Sequence, residues 1–72
     1  MVTFNFKLTE RGVVHYPLSR PERLDTVLLQ CAAAEGIKLG GYITIRGGKV
    51  ITGKSLIEDG DMIDVFPAIS GG

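Results

Sequence analysis

Tryptophan is absent from this chain, cysteine occurs once, and neither sign of charge prevails. Each shortage closes off a class of function. The single thiol, Cys31, leaves no internal disulfide and no site that needs several thiolates, such as structural zinc or an iron–sulfur cluster. A small domain standing without such staples fits a reducing compartment, so a cytoplasmic setting is expected. Eight basic residues balance eight acidic ones, and no basic excess steers the chain to nucleic acid or an anionic lipid surface. Arg20 and Arg23 form a small basic cluster with no aromatic residues interleaved, so no nucleic-acid partner is expected. Long apolar runs are missing as well. The stretch from Met1 to Phe6 lacks a basic lead and alternates polar residues with apolar ones, which reads as neither a signal peptide nor a membrane span.

What is present suits one small domain. The chain has 72 residues, 44% of them hydrophobic, with Phe4, Phe6, Phe66, Tyr16 and Tyr42 as its large apolar bodies. A chain this size buries only about 60% of its unfolded surface, so a core has to be built efficiently. Val2, Phe4, Phe6 and Leu8 alternate with Thr3, Asn5, Lys7 and Thr9, the period of a half-buried strand. Glu10-Arg11-Gly12 supplies turn chemistry, and Val14, Tyr16 and Leu18 then alternate with Val13, His15 and Pro17. The two runs predict an antiparallel hairpin whose second strand is an edge or stops at Pro17, which has no N–H to donate.

The period then changes. Leu24, Val27, Leu28 and Cys31 recur at the spacing of one helical stripe, and Ala32-Ala33-Ala34 favours helix. Ser19 and Glu22 have capping-box spacing, Pro21 suits a first turn, and Gly36 followed by Ile37 suits a C-terminal cap. The helix is therefore expected over about residues 20–35. Tyr42 to Arg46 reads as a strand with Ile43 and Ile45 on one face, and Gly47-Gly48 turns it into a second strand over 49–52. Residues 53–57 read as a loop or single helical turn, Asp59-Gly60-Asp61 as a tight turn, and 62–66 as a last strand with Ile63 and Val65 inward. One helix covers only one face of a sheet. The order β-β-α-β-β-β thus predicts an α+β, ubiquitin-like β-grasp roll over residues 1–66: a four- to five-stranded mixed sheet with one helix across one face.

Residues 67–72 are expected to form a flexible tail ending in Gly71-Gly72. Glycine has no Cβ, so such a tail is thin and its last carboxylate unhindered. It can pass along a narrow channel and offer its terminal carbon to a nucleophile.

With that order in place, Leu56-Ile57-Glu58-Asp59-Gly60-Asp61-Met62-Ile63-Asp64-Val65-Phe66-Pro67-Ala68-Ile69-Ser70-Gly71-Gly72 resembles the small ubiquitin-like sulfur carriers. These include the thiamine-pathway carrier and the small subunit of molybdopterin synthase. The shared pattern is an Asp-Gly-Asp turn, an apolar alternating strand, often Phe-Pro, and a small residue before Gly-Gly. Over residues 1–55 the resemblance rests on element order and apolar pattern alone. It implies a carrier protein, not an enzyme. A ubiquitin-activating-like adenylyltransferase would use ATP and magnesium to adenylate the Gly72 carboxylate, a persulfide would supply sulfur, and the resulting thiocarboxylate would serve a downstream synthase. That synthase would be a thiazole synthase or the large molybdopterin synthase subunit. The carrier itself would bind no metal or cofactor. Gly71, Ser70, Ile69 and Ala68 would lie in the partner's channel, and Phe66 with Pro67 would anchor the tail's base, joined by Ile69. Arg46 and Lys49 would add a polar rim.

Two other functions answer to the same residues. A ubiquitin-like modifier would transfer the activated tail to lysines, and a passive binding module would pair through an open sheet edge. The pathway also stays open: Phe-Pro leans to the molybdopterin type, Ala68 departs from it, the short length leans to the thiamine type, and a carrier serving the formation of cysteine or another metabolite is a further alternative. Other residues read plainly. Cys31 falls on the helix's apolar stripe as a buried thiol, and His15 falls on a polar strand face. Glu58, Asp59 and Asp61 read as turn chemistry instead of a cation loop. Gly48 to Ser55 formally fits the eight-residue phosphate-loop pattern, yet its interior alternates as a strand.

Overall fold

A computed structural model describes residues 1–7 and 10–67. In chain order the elements are β1 (Val2–Phe6), β2 (Gly12–Tyr16), β3 (Glu22–Arg23), α1 (Leu24–Ala34), β4 (Tyr42–Arg46), β5 (Lys49–Ile51), β6 (Leu56–Ile57) and β7 (Met62–Pro67). Five of the strands form a mixed sheet in the order β2-β1-β7-β4-β5, and β3 pairs with β6 in a small second sheet. With one helix against one face, this is the β-grasp-like α+β arrangement that the sequence pattern predicts. No helix among the described residues is long and apolar enough to cross a membrane.

β1 carries the sheet's deepest side chains because its period-two pattern is unbroken. Val2, Phe4 and Phe6 are all buried against Leu24, Val27, Leu28 and Cys31 of the helix, with Ile63 and Val65 of β7 beside them. The two phenyl rings sit 6.2 Å apart and tilted by 39°, a separation at which aromatic pairs still attract. β1 pairs antiparallel with β2 and parallel with β7. β2 is an edge and ends just before Pro17, as its missing donor requires. Leu8 and Thr9, the end of the expected first strand, lie outside the described residues.

The helix is shorter than its predicted span. It begins at Leu24, not near residue 20, because Glu22 and Arg23 are extended and paired with Ile57 and Leu56. No Ser19–Glu22 capping box forms. The N-cap residue is Arg23, and its side chain makes no cap hydrogen bond. Two of the unpaired N–H groups at the helix start find partners across the fold instead: Leu24 N donates to Ser55 O at 2.8 Å and Asp25 N to Gly53 O at 2.9 Å. At the other end Gly36 N donates to Ala33 O and Ile37 N to Ala32 O, with Gly36 at φ 69°. That is the Schellman cap, and Gly36 serves it as the sequence predicts.

The segment 53–57, expected as a loop or helical turn, contains β6. Gly47 and Gly48, at φ 60° and 79°, close the two-residue β4–β5 hairpin with Arg46 opposite Lys49. Lys49–Ile51 is therefore a strand, and the formal phosphate-loop match has no loop-to-helix geometry behind it. Ile43 and Ile45 do share a face, but it is the face away from the helix. Register sets Thr44 opposite Val65, so Thr44 points inward at 2% exposure and Ile43 is 55% exposed. The Thr44 hydroxyl donates to Ile51 O at 2.9 Å, so its burial leaves no unpaired polar atom.

Gly53 shows how closely the β5–β6 segment approaches the helix. A Cβ placed there would stand 2.9 Å from the Cβ of Asp25, an atom fixed to the helix backbone. Gly53→Ala should therefore destabilise the fold by roughly 1–3 kcal/mol through overpacking, measurable by urea unfolding. Lys54→Ala, one residue along at an exposed position, should leave stability nearly unchanged.

Candidate functional site

Of the residues expected at the site, Ala68, Ile69, Ser70, Gly71 and Gly72 lie outside the described residues. Phe66 and Pro67 are described, and both are half-buried at the end of β7. β7 is the middle strand of the sheet, with β1 on one side and β4 on the other. Ile63 and Val65 are buried on the helix side, so alternation sends Met62, Asp64 and Phe66 to the opposite face, which no element among the described residues covers and which is called the uncovered face below. Register sets Phe66 opposite Ile43 and Pro67 opposite Tyr42. Tyr42 packs against the core, so Phe66 and Pro67 lean to opposite faces of the sheet. They do not form one continuous apolar anchor: Phe66 belongs with Ile43, and Pro67 with Tyr42.

The uncovered face carries more apolar surface than the sequence reading located. Val13, Ile43, Val50 and Met62 are 55%, 55%, 70% and 68% exposed, and half-buried Ile45 and Phe66 join them. The signal that could have found this face was the parity of β4: once Val65 is inward, its partner Thr44 must be inward and both isoleucines outward.

Arg46 is not a free rim residue. Its guanidinium donates to Leu56 O at 3.0 Å and to Asp61 Oδ2 at 3.1 Å. The same Asp61 oxygen accepts the Glu58 N–H at 3.0 Å, and Thr3 N donates to Asp61 O at 2.9 Å. Arg46 and Asp61 thus hold the Asp59-Gly60-Asp61 turn at the start of β7. Lys49 remains exposed.

The remaining reactive groups are kept apart. His15 Nδ1 and Thr3 Oγ1 are hydrogen-bonded at 3.0 Å on the uncovered face. Among the described residues no group of three His, Cys, Asp or Glu side chains could hold a metal ion. A depression of about 470 Å³ is lined by Glu10, Arg11, Gly36 and Ile37, with Arg11 and Glu35 ion-paired at 3.7 Å beside it. Nothing in it pairs a nucleophile with a base. Cys31 is buried as expected, and burial, aided by Glu35, pushes its thiol up to about 11. Protonated and enclosed, it is a packing group. No protein-family model and no curated protein matches the chain.

The Cys31 shift has a measurable sign. The folded state keeps the proton up to about pH 11, whereas the unfolded chain releases it from about pH 9. The contribution is present below that lower value and is lost as pH rises through the window between them. The urea midpoint should fall more steeply above pH 9 in the wild type than in Cys31→Ala, which lacks the titrating group. Tyr42, also raised by burial, is present in both proteins and cancels in the comparison.

Proposed function

We propose that this protein is a sulfur carrier activated at Gly72, in the manner of the thiamine and molybdopterin carriers that its second half resembles. One observation supports the reading above the others. The β-grasp-like sheet delivers its middle strand, pinned at its start by Asp61 and Arg46, directly into the sequence Ala68-Ile69-Ser70-Gly71-Gly72. A strand bonded on both sides is a rigid base for a reactive tail. The chemistry asks nothing else of the carrier. A carboxylate is a poor electrophile until a leaving group is attached to it. In the activating partner, a Gly72 carboxylate oxygen attacks the α-phosphorus of ATP and pyrophosphate leaves. The terminal sulfur of a donor persulfide attacks the acyl carbon and AMP leaves. A second thiol then takes the donor's remaining sulfur into a disulfide, releasing the thiocarboxylate for a downstream synthase. Such thiol chemistry suits a reducing cytoplasm.

Docking a tail costs conformational entropy, and contact elsewhere must offset it. Phe66 and Ile43 on the uncovered face would supply that contact, with Pro67 stiffening the exit from the sheet.

The test is intact mass spectrometry after incubation with an adenylating partner, a persulfide donor, ATP and magnesium. The expected product has one terminal oxygen replaced by sulfur, and extending the chain beyond Gly72 should abolish it. Phe66→Ser should cost only about 0.2–1 kcal/mol of stability, the usual worth of a cross-strand pair, yet raise KM for the activating partner. A Gly72-extended protein that keeps full activity would overturn the proposal. So would Gly-Gly remnants on lysines of other proteins without any thiocarboxylate, which would make the chain a modifier.

A further inference from the structure

One row of side chains crosses the uncovered face of the sheet: Val13, Asn5, Asp64, Ile45 and Val50, each opposite the next in register. Phe66 and Ile43 form the neighbouring row on one side, and Met62 lies on the other. The middle member of this apolar patch is a carboxylate. Asp64 is half-buried and enters no ion pair among the described residues, whose pairs are Met1–Asp59, Arg11–Glu35, Arg23–Asp25 and Arg46–Asp61. Lys7, the residue after β1, forms no ion pair with it.

We infer that this face docks a partner protein presenting an arginine or lysine ringed by apolar side chains, with Asp64 receiving the cation. The argument is one of charge. An entirely apolar partner would strip water from Asp64 and leave a buried charge unpaired, which is strongly unfavourable. A second copy of the same face would bring two Asp64 carboxylates into one apolar layer. A cation set among apolar groups satisfies both the carboxylate and the exposed Val13, Ile43, Val50 and Met62. Arginine fits best, since its planar guanidinium can take a carboxylate in a two-pronged pair and is less strongly hydrated than an ammonium. The inference deepens the carrier reading and rests on it for the partner's identity, the activating protein. The charge requirement does not depend on it.

The experiment titrates the isotope-labelled full chain with two capped peptides, Ser-Leu-Arg-Leu-Ser and Ser-Leu-Gln-Leu-Ser, following backbone amide shifts. The arginine peptide should move the amides of Asn5, Ile45, Val50 and Asp64 and bind roughly fivefold more tightly than the glutamine peptide, a typical worth for one partly shielded charge pair. Added salt should shrink that difference, and Asp64→Asn should erase it while Gln30→Ala, on the helix, should not. Equal binding of the two peptides, no shifts on this face, or shifts that grow with protein concentration alone would overturn the inference, the last by making a second copy the occupant. The peptide comparison in the wild type stands even if Asp64→Asn folds poorly. A failed thiocarboxylate assay would leave these shifts untouched, so the two readings fall separately.

Discussion

The fold depends on β7 being held between two other strands. Its backbone bonds to β1 in parallel and to β4 in antiparallel fashion, so a slip of one residue would break two ladders and turn Ile63 and Val65 out of the core together. Register is fixed where the strand begins. Asp61 accepts from Arg46 and from the Glu58 backbone with one carboxylate oxygen, and its carbonyl accepts from Thr3. The turn that looks in the sequence like a cluster of acids is thus a clamp joining β1, β4 and the approach to β7. The Arg46–Asp61 pair is partly shielded, and it is held in place by further hydrogen bonds, unlike a lone surface ion pair.

Placing β7 in the middle also decides what the molecule can offer a partner. One face of the sheet is spent on the helix, and no element among the described residues covers the other. The uncovered face is not uniformly polar, as a solvent-facing sheet surface usually is. It bears isoleucine, valine, methionine and phenylalanine around one carboxylate. It is the surface on which docking is proposed.

Much of the architecture was legible because it is written in short-range periodicity. β1, β2, the β4–β5 hairpin, β7 and the Gly36 cap all announce themselves through alternation or through glycine at a required backbone angle. Three features were not legible, and each depends on partners far away in sequence. The helix start is set by Gly53 and Ser55 carbonyls and by β3–β6 pairing, which no local capping pattern encodes. The inward face of β4 is set by its register with Val65, which the alternation of Ile43 and Ile45 does not by itself decide. Arg46 reads in the sequence only as a rim residue because its acceptors, Leu56 and Asp61, lie ten and fifteen residues on. Of the candidate site, Phe66 and Pro67 could be placed, while Ala68 to Gly72 lie outside the described residues.

The chain order of these strands bears on how the protein is made. β7 is translated after both hairpins, yet it belongs at the centre of the sheet. Until β7 inserts, β1 and β4 each lack a partner on the side where it belongs. Pairing residues so distant along the chain is slow. During that wait the nascent protein exposes two unpaired strand edges, the state in which chaperone contact or premature aggregation would act on it.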